Sequence, residues 1–376
     1  MQSALLRSAL CTRMSAMGRI RALAGLLAGL LLVAPASAGT GSELRAVIAR
    51  AEQLRGLKTT HPLAISTLDA AGLRRVVVRE LARERHPRND AAWNDALHLL
   101  GVLKRGQSLE QVQRSQLTSQ VAGLYVPHSG RLYVLGSGGA APRSVIAHEV
   151  THALQDEHFH LTRGAFAPHP RDHDGELGAQ ALAEGDATDV QSRYVGGLSP
   201  GELVSELART LGSLPSDPSG RSAPFLEREL LYPYTAGRDF VRALRTRGGQ
   251  RLLDRAFRHP PRTTAAVLDP SRYLAGDPPA RAVSLPAGRY DLVTTFGAED
   301  LIALTGQDEL ARSWLGGSLG VGVGGLELRL ATRRAASVAA ALERALPASA
   351  AVAFRGQIVC VRVVRTKASV PRVSCR

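Results

Sequence analysis

The chain has 376 residues, of which 44% are hydrophobic, and it carries a formal net charge of +14. This length is enough for one large or two ordinary domains, and the hydrophobic content excludes an intrinsically disordered chain. Nearly all of the positive charge is arginine, scattered along the chain rather than gathered beside aromatic residues. The charge therefore predicts a solvated surface and no nucleic-acid partner.

The first residues have the layout of a secretory signal peptide. A flank with arginines and no acid precedes an apolar and glycine run at residues 22–33, and small residues at 36–38 form a cleavage pattern. The run is shorter than the roughly 20 residues of a membrane-spanning helix, which disfavours an uncleaved anchor. We expect residues 1–38 to be a signal peptide and the mature protein to be secreted or periplasmic, with no stable membrane span.

Hydrophobic periodicity predicts mostly helices before residue 120. The predicted helices cover residues 43–57, 69–85 and 90–104, with Asp69 as a cap, and a short β-like stretch lies at 63–66. Ser108 and Gln111 form a capping-box pattern for a helix that continues to about residue 119.

The periodicity changes to that of strands at residues 121–135. Two β-like runs flank a turn at 127–130, which predicts a β-hairpin. Pro142 suits the first turn of the next helix, which carries the segment HEVTH. A loop at 164–175 and a second helix at 176–194 follow.

The remainder is predicted as helices and then mixed structure. Helices are expected at 227–247 and 249–257, an extended proline-rich loop at 259–283, strands near 289–294, 325–331 and 357–365, and a helix at 334–346. We therefore expect a mostly helical α+β protein, with one domain at residues 39–283 and a small α+β module at 284–376. Cys360 and Cys375, an even pair in a chain expected to be exported, suggest a disulfide, with two free thiols as the alternative.

The segment HEVTH carries the strongest chemical pattern. On a helix, His148 and His152 lie one turn apart on one face and can present two imidazole nitrogens to one zinc ion. Glu149 adjoins the first histidine, where it can act as general base toward a zinc-activated water. The competing interpretation is an amphipathic helix with surface histidines.

A third protein ligand is needed, and Glu184 is favoured over two rivals. Glu184 lies on the next predicted helix, among small residues that would allow a close approach to the HEVTH helix. His158 has the histidine spacing of the metzincin motif, but Gln155 replaces the turn glycine, so the helix should continue and point His158 away. Glu176, at the start of its helix, is a poorer rival.

The segment HEVTHALQD is similar to the active-site helix of thermolysin-like gluzincins. More broadly, the chain resembles a group of exported bacterial and archaeal zinc peptidases in the segments at 122–134, 148–159, 181–187, 232–241 and 260–273. The resemblance spans roughly residues 43–280. It implies a gluzincin-like metallopeptidase core, with a β-hairpin before the active-site helix and a Zn²⁺ site made of His148, His152 and Glu184.

Several supporting roles stay open at this stage. Position 188 is Thr, where gluzincins often have an Asp that holds a zinc histidine, which leaves Asp156 or Asp189 for that role. The candidate oxyanion donors are Tyr234, Tyr232 and, less favoured, His173. The strand at 131–135 is expected to be an edge strand that pairs with an extended peptide.

The sequence as a whole predicts an exported zinc metallopeptidase that hydrolyses peptide bonds in peptides or proteins, with Glu149 and Tyr234 as catalytic residues. A non-enzymatic exported zinc-site protein and a basic cell-surface binding protein are the alternatives. An intact Glu149 favours the enzyme, because a purely structural zinc site has no use for a base.

Overall fold

The structure is a computed structural model. It describes residues 41–83, 87–112, 122–136, 141–169, 171–212, 224–276 and 280–365, together with 373 and 375. The predicted signal peptide lies outside these residues.

The fold is α+β and mostly helical, with two small sheets. The principal helices are α1 (Gly41–Arg55), α2 (Ala70–Arg83), α3 (Pro87–Leu99), α4 (Arg143–Phe159), α5 (His173–Gly196), α6 (Pro200–Gly212), α7 (Pro224–Arg258), α8 (Thr264–Leu268), α9 (Pro270–Leu274), α10 (Ala298–Thr305) and α11 (Ala335–Ala345). The strands are β1 (Ala64–Leu68), β2 (Gly123–Val126), β3 (Arg131–Leu135), β4 (Leu292–Thr295), β5 (Trp314–Gly322), β6 (Gly325–Thr332), β7 (Ala350–Arg355) and β8 (Ile358–Val363).

The first sheet has the strand order β1-β3-β2. The predicted hairpin is confirmed: β2 and β3 are antiparallel, with Leu124 opposite Tyr133. β1 joins β3 in parallel, with Ile65 opposite Leu132. The expectation that residues 131–135 form an edge strand is therefore wrong, because β1 covers the free side of β3. Within the hairpin, β2 is therefore the strand that lies at an edge of the sheet.

Helix α4 crosses this first sheet and is buried along most of its length. Val150, Ala153 and Leu154 are fully buried and pack with residues of α1, β2 and β3. The N-terminus of α4 is capped from α6, where the carboxylate of Glu206 accepts the backbone N–H groups of Arg143 at 2.9 Å and of Ser144 at 2.7 Å. A carboxylate at this position satisfies two free donors and also complements the helix dipole.

Helix α5 packs against α4 on one side and makes its closest approach to α7 on the other. A Cβ added to Gly185 would lie 2.2 Å from the carbonyl group of Gly237, and one added to Gly237 would lie 2.1 Å from the carbonyl oxygen of Ala181. Only glycine permits two helix backbones to meet in this way. The small residues around Glu184 thus serve the contact with α7 as well as that with α4.

The second sheet has the order β4-β5-β6-β8-β7 and is entirely antiparallel. Its buried face shares one hydrophobic core with α3, α10 and α11, in which Ala96, Leu301, Leu328, Leu342 and Val361 are at most 2% exposed. Cys360 of β8 and Cys375 form a disulfide, with Cα atoms 5.7 Å apart.

Many predicted elements are confirmed. The caps at Asp69 and at Ser108 with Gln111 are formed, α5 ends at the glycine pair 196–197, and α7 is broken at Gly248 and Gly249. The continuation of the helix after residue 112 lies outside the described residues.

Other predictions were wrong. The segment at 259–283 contains the short helices α8 and α9 and is not simply an extended loop, and the prediction missed α6, α10, β5 and β7.

In the part of the chain that the structure describes, no helix has the length and apolar character needed to cross a membrane.

Candidate metal centre

Three polar side chains meet between α4 and α5. The Nε2 atoms of His148 and His152 are 3.1 Å apart, and the Oε2 atom of Glu184 lies 3.2 Å from the first and 3.5 Å from the second. His148 and Glu184 are fully buried and His152 is 4% exposed. The i, i+4 spacing on α4 places both rings on one face, and α5 presents the carboxylate opposite them. This group could hold a metal ion.

The protein leaves much of the hydrogen-bonding capacity of this group unused. Among the described residues, neither oxygen of Glu184 accepts a hydrogen bond of normal geometry, and Nδ1 of His148 has no hydrogen-bond partner. Burying an ionised carboxylate without such partners costs several kcal/mol unless a cation compensates it.

The charges within the group are strongly coupled to one another. Burial disfavours the charged imidazole of His152, but the carboxylates of Glu184 and Glu149 outweigh it and raise its pKa to about 9. Burial likewise opposes ionisation of Glu184, but its attraction to the two imidazoles lowers its pKa to about 2. A cation bound to these atoms would replace the proton on His152.

Glu149 lies on α4 against the edge strand β2. It is 2% exposed, and its Oε2 atom accepts the backbone N–H of Tyr125 at 2.8 Å. A Cβ at Gly123 would come within 3.2 Å of the Glu149 side chain, so the glycine leaves room for it. The carboxylate is thus fixed between the strand edge and the metal-ligand group.

His152 is held in place by Gln155, one turn further along α4. The Nδ1–H of His152 donates to the Gln155 side-chain oxygen at 2.9 Å, and the Gln155 amide donates to Asp186 Oδ2 and to the carbonyl of Ala183, both at 3.0 Å. These bonds tie α4 to α5. Neither Asp156 nor Asp189 performs this role: Asp156 accepts the Tyr125 hydroxyl, and Asp189 pairs with arginines of α7.

Asp186 is in turn the centre of a buried ion network. It pairs with Nε of Arg55, the last residue of α1, and with Nη2 of Arg245 at 3.1 Å. Arg55 and Asp186 have no exposed side-chain surface, and Arg55 also reaches Asp254 at 2.9 Å. Two helices remote in sequence therefore support the helix that carries Glu184.

The other candidate residues lie away from the metal-ligand group or serve other contacts. The Nε2–H of His158 donates to the carbonyl of Lys58 at 2.8 Å, away from the group, because α4 continues through Gln155. The ring of Tyr234 is buried and stacked on His148, with centroids 6.2 Å apart. Tyr232 is a core residue that donates to the carbonyl of Thr264. Glu176 accepts the backbone N–H of His169.

His173 belongs to a second polar cluster at the start of α5. Its Nε2 lies 3.4 Å from both Glu229 and Asp300, which, against the effect of burial, raise its pKa well above the usual value. Next to it, burial raises the pKa of Asp174 to about 7, although Asp174 accepts the backbone N–H and the hydroxyl of Thr264. This cluster joins α5 to α7, α8 and α10.

Sequence reasoning missed Gln155 and Asp186 as supports of the site. Gln155 lies three residues after His152, so its position on the ligand face was visible in the sequence. Asp186 offered no such indication, since its partner Arg55 is 131 residues away.

No protein-family model matches this chain, and neither curated proteins nor solved structures include a match.

Proposed function

We propose that the protein is a zinc-dependent peptidase in which His148, His152 and Glu184 hold the metal and Glu149 is the general base. The observation that carries the proposal is the convergence of three buried ligand atoms, one of them on a carboxylate without normal hydrogen-bond partners. Two imidazoles and a carboxylate with room for a fourth ligand are the donor set of catalytic zinc sites.

The spacing of the ligand atoms supports a small first-row metal. Zinc binds nitrogen and oxygen ligands at about 2.0–2.1 Å in a tetrahedron, so two ligands should be about 3.3 Å apart. The observed separations of 3.1, 3.2 and 3.5 Å agree with that edge length. Calcium would require six or more oxygen ligands, and imidazole suits zinc better.

Glu149 is suited to the movement of the proton. Bound zinc would polarise the scissile carbonyl and acidify the attacking water. Glu149 would accept a proton from that water and deliver it to the departing amine, and its bond to Tyr125 keeps the carboxylate oriented for both transfers. Tyr234, stacked on His148, is the proposed donor to the oxyanion.

A peptide substrate suits the cavity that lies beside Tyr125 and His152. Among the described strands β2 pairs with β3 alone, and its residue Tyr125 adjoins both Glu149 and this cavity. An extended peptide that enters this cavity beside Tyr125 would pass close to the general base. The proposal includes a gluzincin-type core and, from the N-terminal segment, export from the cytoplasm.

The test compares the parent protein with Glu149→Gln and Glu157→Gln, each supplied with Zn²⁺ and a denatured protein substrate. Glu157 is an outward residue of the same helix that bonds to Thr60, so it controls for loss of a carboxylate. We expect hydrolysis by the parent and by Glu157→Gln, and a loss of at least a hundredfold in Glu149→Gln with zinc still bound.

Metal content completes the test. Glu184→Gln should lose stoichiometric zinc, because it removes the anionic ligand. Equal hydrolysis by the parent and Glu149→Gln would refute the role of Glu149. Zinc bound without hydrolysis of any substrate would favour a non-enzymatic zinc protein.

A further inference from the structure

A cavity of about 930 Å³ adjoins the metal-ligand group. His152 and Tyr125 contribute to its wall, and so do Arg255, Arg258 and Arg262. The cavity therefore connects the proposed reaction centre to a group of arginines at the end of α7 and in the following segment.

Most of the surface of this cavity is apolar. Leu161, Phe166, Leu252 and Pro261 contribute to it, together with the ring of Tyr273. An apolar wall reduces the competition of water for any charge placed beside it, so a charged group bound here interacts more strongly than on an open surface.

Arg255 and Arg258 form no ion pair with any acid in the described part of the chain. Both are exposed, and within the described residues neither lies within 4.0 Å of a carboxylate. The guanidinium of Arg258 lies over the ring of Phe159, 5.9 Å from its centroid. Stacking of this kind orients the planar cation without neutralising it.

The two acids of the cavity wall accept hydrogen bonds from groups other than these arginines. Asp172 accepts the backbone N–H of Gly175 and the hydroxyl of Thr295, at 3.2 and 3.0 Å. Glu176 accepts the backbone N–H of His169. Both lie at the N-terminal end of α5, whose dipole further offsets their charge.

We propose that this cavity selects substrates with a carboxylate near the scissile bond, and that Arg255 and Arg258 bind it. The inference rests on the proposed peptidase function. Arginine binds carboxylates through paired, charge-assisted hydrogen bonds, and two unpaired arginines one helical turn apart offer several such donors. The carboxylate is that of an acidic side chain or of a chain terminus.

The probes are short labelled peptides that differ only in a central Glu or Gln, each with a free or an amidated C-terminus. Their binding is measured by fluorescence anisotropy with Glu149→Gln protein, and their hydrolysis with the parent. We expect the parent to prefer the acidic peptides by about tenfold in kcat/KM. A preference for Glu over Gln identifies the side chain, and a preference for the free over the amidated end identifies the terminus.

Two double variants locate the effect. Arg255→Gln with Arg258→Gln removes two charges from the cavity. Arg247→Gln with Arg251→Gln removes two charges from exposed positions of α7 outside the cavity, one on each side of its break. We expect the first pair to abolish the preference and the second to retain it. The same result is expected in the binding assay.

Failure of this inference is distinguishable from failure of the peptidase proposal. Equal binding of acidic and neutral peptides, or equal loss in both double variants, would overturn the role of the arginines while hydrolysis continued. Selective binding without hydrolysis would overturn the peptidase function and leave the carboxylate site standing.

Discussion

The contact between Gly185 and Gly237 provides a severe test of the packing that places Glu184. In Gly185→Ala the new Cβ would lie 2.2 Å from the Gly237 carbonyl, whereas ordinary contact begins at 3.4 Å. The obstacle is backbone and cannot rotate away, so α5 and α7 must separate by about 1 Å or bend.

Two opposing effects determine how much Gly185→Ala changes the free energy of unfolding. Overpacking of this kind costs about 1–3 kcal/mol, and a clash with backbone belongs at the upper end of that range. Alanine in place of glycine stabilises a helix by about 0.5–1 kcal/mol. We therefore expect a net loss of about 2 kcal/mol. Because residue 185 adjoins Glu184, zinc affinity should fall as well.

Gly196→Ala is the matched control. It is the same change on the same helix, and its Cβ would meet no atom within 4 Å. Chemical denaturation should show Gly185→Ala well below the parent and Gly196→Ala at or slightly above it. Equal stability of the two variants would refute the claim that close backbone contact holds α5 in place.

Two further predictions concern the polar groups around the site. Gln155→Leu should weaken zinc binding about 10- to 100-fold in a chelator competition assay, because His152 loses the acceptor that orients its ring. Gln155→Glu retains an acceptor and should bind zinc more tightly than the leucine variant. Burial raises the pKa of Asp174 to about 7, above its usual value near 4, so this group should lower stability as pH rises from about 4 to 7. Asp174→Asn should flatten that decline in denaturation curves; parallel curves would contradict the assignment.

The parts of the structure that the sequence predicted best are those set by local pattern. The caps at Asp69 and Ser108 involve residues three apart, and the hairpin depends on adjacent runs and a short turn. The position of His148 and His152 on one face follows from helix geometry alone. The position of Glu184 beside these histidines could not be predicted from local pattern, because it depends on how two helices pack.

The errors arose where distant segments decide the outcome. Nothing in the hairpin sequence indicates that β1, more than fifty residues earlier, pairs with β3. The helices α8 and α9 are each five residues long. Hydrophobic periodicity cannot identify helices this short, because it needs several turns to become visible. The glycine-rich strand β5 lacks the β-branched composition by which strands are recognised.

The buried pairs of Arg55 also determine when the site can mature. Helix α1 is synthesised early, but the partners of its residue Arg55, Asp186 and Asp254, lie 131 and 199 residues later in the chain. Until both have emerged, Arg55 is a cation without its buried counter-ions, and α5 lacks one of its supports. The histidines can form their helix long before Glu184 is fixed beside them. A nascent chain would therefore carry an incomplete metal-ligand group through most of its synthesis.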